Sequence, residues 1–400
     1  MSRSIPALAN PEVLRWARQA SGFPSVAAAR KIGVPDDRVD EWEAGTAGPS
    51  IAQLRNAARV YKRSLAVFFL SAPPDGFDTL RDFRRLQGSE SGEWSPALHA
   101  EFARAHFQRD NAIEIAELDE IDPPGEWSIE RVQANDSALA SVARDAILTR
   151  SHLELPGQAP DKYAHLNTWI SGLEESGILV LATQGGRVEM SEMRAFSLYF
   201  EVLPVIVVNG SDSPRGRLFS VVHEYAHLLL HTEGLCDLIS DHRAVDENQQ
   251  LEARCNAIAA EMLMPSDLIQ ANGVVSAHPH GTAWEYESLR EAANQFGVSA
   301  EALLRRLSTL GLVTVAEYDQ ARQVFIDAYA SEINRVKEQR QSGGNPHRNK
   351  VRDFGKSYVR LVVDAHERRL IDSMRAADFL ETKVEYISKL AAEASIRGRE

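Results

Sequence analysis

The segment Leu218-Phe219-Ser220-Val221-Val222-His223-Glu224-Tyr225-Ala226-His227-Leu228-Leu229-Leu230-His231 constrains this chain more than any other. Its apolar residues flank a H-E-x-x-H pattern on both sides, so the helix it predicts must be buried. Histidines four apart lie on one face of a helix, one turn from each other. Two such imidazoles can share one zinc ion, and the glutamate between them can serve as general base toward a water on the metal. The five-residue pattern also occurs by chance in core helices with satisfied histidines. Against that reading, a buried His-Glu-His group without a partner is costly.

The residues just before this segment predict a small sheet. Ile178 to Leu181 forms a short buried strand, and Gly185-Gly186 a turn. Ala195 to Glu201 and Pro204 to Asn209 form two more strands. Ser211 or Ser213, followed by Pro214, opens the histidine helix. Zinc peptidases use this order, and an edge strand there can pair with an extended peptide.

A catalytic zinc takes three protein ligands and keeps one position open. His231 cannot be the third, because eight residues of helix separate it from His223, about 12 Å along the axis. Glu252 is the candidate, at the start of a helix that stops near Pro265, with Asp246, Glu247 and Glu261 as rivals. Asn256 shares the Glu252 face and is placed to accept a hydrogen bond from the far nitrogen of a ligating histidine. Cys255 is expected to point off that face as a buried, inert thiol. His231 and Tyr199 are weak candidates for oxyanion stabilisation.

The chain has 400 residues, too many for one core, so several domains are expected. A net charge of −13 argues against a surface that coats nucleic acid as a whole. Two cysteines, Cys236 and Cys255, cannot build a disulfide framework. The segment Met1 to Pro6 has no apolar signal core, and the longest apolar runs are too short to span a bilayer. The expectation is a cytoplasmic protein with no membrane partner.

Five short helices are predicted at the N-terminus: Pro11 to Gln19, Ser25 to Ile32, Pro35 to Glu43, Ser50 to Tyr61 and Ser64 to Leu70. Gly33 supplies a tight turn between the second and third, the signature of a helix-turn-helix module. Ala28 to Pro35, then Trp42-Glu43-Ala44-Gly45 and Pro49, resembles the Xre/Cro-type DNA-binding domain over about residues 8–70. In that family the third helix enters the major groove. Here that helix is acidic, with Arg38 its only cation, whereas base readout favours Arg, Lys, Asn or Gln. Arg15, Arg18, Arg30, Lys31, Thr46, Ser50 and Gln53 are the residues that could hold phosphates. DNA binding and protein docking both stay open for this module.

Along the chain the expected organisation is a helix-turn-helix domain at 1–72, a helical connector at 73–150, the peptidase-like domain at 151–275, its helical extension at 276–340 and C-terminal helices at 341–400. Within these, Pro96 to Asp119, Glu130 to Leu148, Ala159 to Ser176, Val315 to Arg340, Tyr358 to Glu367 and Ala376 to Ala394 are predicted helices. Leu289 to Leu307 reads helix, glycine turn, helix, either a second DNA reader or a segment packed on the peptidase domain.

His223 to His227, then Glu252 to Met262-Leu263-Met264-Pro265, resembles the ImmA/IrrE family of zinc metallopeptidases over about residues 150–310. Phe196-Ser197-Leu198, Pro204 to Asn209 and Arg217 to Ser220 fit as well. The resemblance implies a zincin-like metallopeptidase domain behind an Xre/Cro-type domain, and so a mainly α fold with a small β-sheet (α+β). It implies a Zn2+ cofactor held by His223, His227 and Glu252, with Glu224 as base. It also implies a protease that cuts a repressor or antitoxin, in a toxin–antitoxin setting, on a mobile element or in a stress response. Arg254 departs from the family, where an acid is usual, and Cys255 stands where a small Ala is usual. The alternative function is a helix-turn-helix regulator, antitoxin-like, whose zinc domain senses or scaffolds and cuts nothing. The oligomeric state, a homodimer included, is not set by the sequence.

Overall fold

A computed structural model of the chain describes residues 7–63, 65–73, 95–120, 127, 135–151, 163–232, 245–279, 282–339 and 345–395. The basic run Arg81 to Arg85, the turn Pro123 to Gly125 and Cys236 lie outside these residues, as do the side chains of His231, Asp246 and Glu247. The fold is α+β: among the described residues there are many helices and one three-stranded sheet. The helices run α1 (Pro11–Ala20), α2 (Ser25–Ile32), α3 (Arg38–Glu43), α4 (Ile51–Tyr61), α5 (Pro96–Leu118), α6 (Asp136–Ser151) and α7 (Ala164–Glu175). Then come β1 (Leu179–Ala182), β2 (Ala195–Leu198), β3 (Val205–Val208), α8 (Pro214–Thr232), α9 (Val245–Leu263), α10 (Ser266–Ala271) and α11 (Gly273–Ser276). The remainder is α12 (Tyr286–Asn294), α13 (Ala300–Thr309), α14 (Val315–Gln339), α15 (Pro346–Phe354), α16 (Lys356–Glu367), α17 (Ser373–Phe379) and α18 (Ile387–Ser395). Two compact units result, 1–121 with 183–193 and 361–387, and 122–182 with 194–360 and 388–400. Helix α5 belongs to the first unit and α6 to the second.

In the first unit, α1 to α4 close on Val13, Leu14, Ala17, Ala29, Ile32, Trp42, Leu54 and Tyr61. Asn10 accepts from the Glu12 N–H, and Pro11 sits where its missing donor costs nothing. Gly33 takes the left-handed conformation that ends α2. The third helix is shorter than expected, because Pro35 to Asp37 forms a turn closed by the Arg38 N–H on Pro35 O. The fifth predicted helix is a 3₁₀ segment, Leu65–Phe69. The expected helix from Ala376 to Ala394 is broken. It stops where Glu381 adopts φ 46° and the Thr382 N–H bonds Ala377 O, and it resumes at α18.

The sheet of the second unit has the order β1-β3-β2. β1 runs parallel to β3 and β2 antiparallel, with Ser197 opposite Ile206. Strand alternation puts Val180, Ala182, Ala195, Ile206 and Val208 on one face, in the core shared with α8. Ser213 Oγ accepts from the Gly216 N–H and so caps α8 ahead of Pro214. Val221, Val222, Tyr225, Ala226 and Leu228 to Leu230 are all buried, as the apolar flanks of the segment require. Helix α9 packs on α8 through Cys255, Ile258, Ala259 and Met262. Leu289, Ala292, Ala293, Leu303, Leu304 and Leu307 of α12 and α13 enter the same core, so this helix pair packs on the peptidase-like domain.

Candidate metal centre

Three side chains converge where α8 and α9 meet. His223 and His227 present their Nε2 atoms to each other at 3.1 Å. Glu252 places Oε2 3.3 Å from His223 Nε2 and Oε1 3.3 Å from His227 Nε2. Among the described residues these three form the group able to hold a metal ion. Tetrahedral zinc with bonds of about 2.0–2.1 Å separates its ligand atoms by about 3.3–3.4 Å. The spacing here is within a few tenths of that edge, and a two-nitrogen, one-oxygen donor set suits zinc. The residues present therefore fit the ion.

The electrostatics agree with a site built for a cation. Burial alone would lower His227, but bonds to Cys255 and Glu252 and the charge of Glu224 push it up to about 11. Hydrogen bonds from His223 and His227 hold the Glu252 carboxyl well below the usual carboxylate range. Glu252 is 43% exposed while the two imidazoles are 15% and 21% exposed, so the site opens on the Glu252 side.

Glu224 is buried on α8 between the two histidines, and its Oε2 accepts a 2.8 Å hydrogen bond from Ser197 Oγ on β2. This partner was not singled out in the sequence. The signal was there: Ser197 is the polar residue on an otherwise apolar strand face. Phe219 stacks on His223, ring centroids 6.2 Å apart, and limits the rotation of that imidazole.

The expectations around this core divide. Glu261 is removed as a rival ligand, since it pairs with Arg306 and caps the Ser266 N–H at 3.2 Å. Asn256 is exposed and makes no hydrogen bond to either histidine among the described residues. The buried thiol of Cys255, expected to point off the Glu252 face, lies instead close enough to His227 to interact with it. A helical offset of three residues lies almost as close to the Glu252 face as an offset of four, and the His227 ring falls on the Cys255 side. Burial raises the Cys255 thiol, and the hydrogen bond with His227 opposes that. Arg254, the departure noted above, pairs with Asp136 of α6 at 2.6 Å. Tyr199 packs edge-on against Trp127, centroids 5.8 Å apart.

In the helix-turn-helix module the acids and cations neutralise one another. Arg18 grips Glu43 through two bonds, 2.6 and 2.9 Å, and also bonds Phe23 O. Arg15 bonds the Glu43 backbone carbonyl, Arg30 pairs with Asp36, and Arg38 pairs with Glu41. Ser50 and Gln53 form the capping box of α4, and Thr46 Oγ bonds Glu41 O. Lys31 is exposed and lies over the Phe23 ring at 5.3 Å.

Two family models match the chain, the IrrE N-terminal-like domain over residues 173–308 and the helix-turn-helix over residues 14–68. A curated relative, the radiation response metalloprotease IrrE of Deinococcus deserti, is 33% identical over 106 residues. With the site above, these matches make residues 173–308 similar to an IrrE-type metallopeptidase domain, and residues 14–68, which precede it, similar to a helix-turn-helix. The likeness to the Deinococcus protein spans 26% of this chain and 36% of that relative.

Proposed function

We propose that the chain is a zinc-dependent endopeptidase that cleaves a regulatory protein, a repressor or antitoxin, in the cytoplasm. The convergence of His223, His227 and Glu252 beside the buried Glu224 carries this reading. When bound there, zinc supplies a Lewis acid for the water and the scissile carbonyl. Glu224 takes the water's proton and delivers it to the departing amine. His223 and His227 would give such an ion their Nε2 atoms, with the Phe219 ring stacked on His223. Strand β2 is an edge of the sheet among the described residues, and an extended substrate segment can add to it.

The helix-turn-helix module supports a second, DNA-binding role for residues 8–70. Of the cations assigned to phosphates, Lys31 is the one not engaged by a carboxylate. Phosphate contact through Arg15, Arg18, Arg30 and Arg38 would have to compete with their carboxylate partners.

The test is cleavage of regulators encoded beside this chain by zinc-loaded wild type and by Glu224→Gln. A discrete cut made by wild type and abolished in Glu224→Gln supports the peptidase. Equal products from both proteins would contradict it, and an intact regulatory output in Glu224→Gln would favour a sensor or scaffold. No helix among the described residues is long and apolar enough to cross a membrane.

A further inference from the structure

We infer that Ser197 is a positioning residue for Glu224, holding one oxygen of the general base so that the other faces the metal-side water. The inference rests on the peptidase reading and deepens it. Alternation along β2 directs Ala195 and Ser197 toward α8, and Phe196 and Leu198 away from it. Ser197 is the half-buried residue of an otherwise buried strand, and a hydroxyl on this α8-facing position is best accommodated when it is hydrogen-bonded. Here that bond is the 2.8 Å one from Ser197 Oγ to Glu224 Oε2.

Glu224 projects from the same helical turn as the two histidines, and its side chain has rotatable bonds that α8 alone does not fix. A carboxylate acting as base has to meet its proton within hydrogen-bond distance, so a free rotamer equilibrium would reduce catalysis. The hydroxyl occupies Oε2 and leaves Oε1 as the proton acceptor. A bond to a charged acceptor is among the stronger neutral-donor bonds. Ser197 also sits on the strand whose outer edge would receive the substrate. Peptide pairing and base orientation thereby share one rigid element, to a precision a loop would not give.

The probe is acetohydroxamate, a metal chelator whose hydroxyl proton is accepted by a base in the position of Glu224. Its affinity is measured by calorimetry on zinc-loaded full-length wild type, Ser197→Ala, Ser197→Thr and Glu224→Gln, with zinc content measured alongside. Ser197→Ala should bind the hydroxamate about tenfold more weakly, the size expected for losing one hydrogen bond to a charged group. Its zinc content should stay at the wild-type level. Ser197→Thr keeps the hydroxyl and should recover most of the affinity. In the Glu224→Gln background, Ser197→Ala should add little, since the two residues act as one unit. Where a substrate is in hand, kcat should fall in Ser197→Ala with KM nearly unchanged. Unchanged hydroxamate affinity in Ser197→Ala, or an equal loss in Ser197→Ala and Ser197→Thr, would overturn the inference while leaving the zinc site standing. Absence of zinc from wild type would overturn both.

Discussion

Replacing Glu261 with Gln separates a structural carboxylate from a ligating one. Glu261 pairs with Arg306, which is only 6% exposed and otherwise bonds Met264 O at 3.3 Å. Its other oxygen accepts from the Ser266 N–H and lies near Ser266 Oγ, where α9 gives way to α10. Glutamine keeps the shape and the Ser266 bond but leaves the guanidinium buried without a counter-charge. Breaking a buried pair in this way costs about 3–5 kcal/mol. The Met264 carbonyl still solvates Arg306, so the lower end, about 3 kcal/mol, is expected. For a unit of this size about 1 kcal/mol moves Tm by roughly 2–4 °C, which gives a drop of about 6–12 °C. The assay is thermal unfolding of metal-free protein, so that zinc linkage does not mask the change, with zinc content measured separately. Glu261→Gln should bind zinc as wild type does while melting earlier. Loss of zinc with an unchanged Tm would make Glu261 the ligand and refute the placement of α9.

Other perturbations follow from the same structure. Gly297→Ala should destabilise the second unit by at least about 1–3 kcal/mol, seen in urea unfolding. The position has φ 70°, and a Cβ there would lie 2.5 Å from the His165 ring. Burial, then the charges of Arg63 and Arg109, depresses His106 to about 3. Its unfolded form binds a proton below about pH 6.5, so first-unit stability is full above that value and falls by up to about 1.4 kcal/mol per pH unit toward pH 3. His106→Gln should flatten this slope between pH 7.5 and 5, and an unchanged slope would remove His106 as the cause. Arg254→Ala should cost no more than about 1 kcal/mol and leave zinc content intact, since both partners of the Asp136 pair are about a third exposed. Arg18→Ala should lower the thermal stability of the helix-turn-helix module, at any salt concentration, because it leaves the buried Glu43 with only the longer 3.8 Å pair to Arg15.

The centre of the site was legible because helical spacing is local. His223, Glu224 and His227 are fixed relative to one another by the pitch of α8, and the apolar flanks declare its burial. Glu252 was legible only as the first of several acids, and tertiary packing of α9 on α8 selects it over Glu261. Ser197 was legible as a polar residue on an apolar strand face but not as the partner of Glu224, because that role depends on the β2–β3 register and on how that face meets α8. Cys255 was set off the Glu252 face and Asn256 on it for a similar reason, since offsets of three and four residues lie nearly as close to that face. The break after Phe379 was missed because a single left-handed residue, Glu381, ends the helix without a glycine to announce it. In the N-terminal module the helices were read well from caps and glycine turns. The carboxylate partners of Arg18 and Arg30, Glu43 and Asp36, were not legible as such, because folding brings Glu43 to Arg18 across 25 residues and Asp36 to Arg30 across the Gly33 turn.

The central claim is a zinc site made by His223, His227 and Glu252. The most direct measurement is metal content of the purified full-length chain, wild type beside His227→Ala and Glu252→Ala, after zinc loading and removal of loosely bound ions. About one zinc per wild-type chain, lost in both variants, is the expected result. Zinc retained in Glu252→Ala would move the third ligand elsewhere, and a wild type that takes up none would contradict the site altogether.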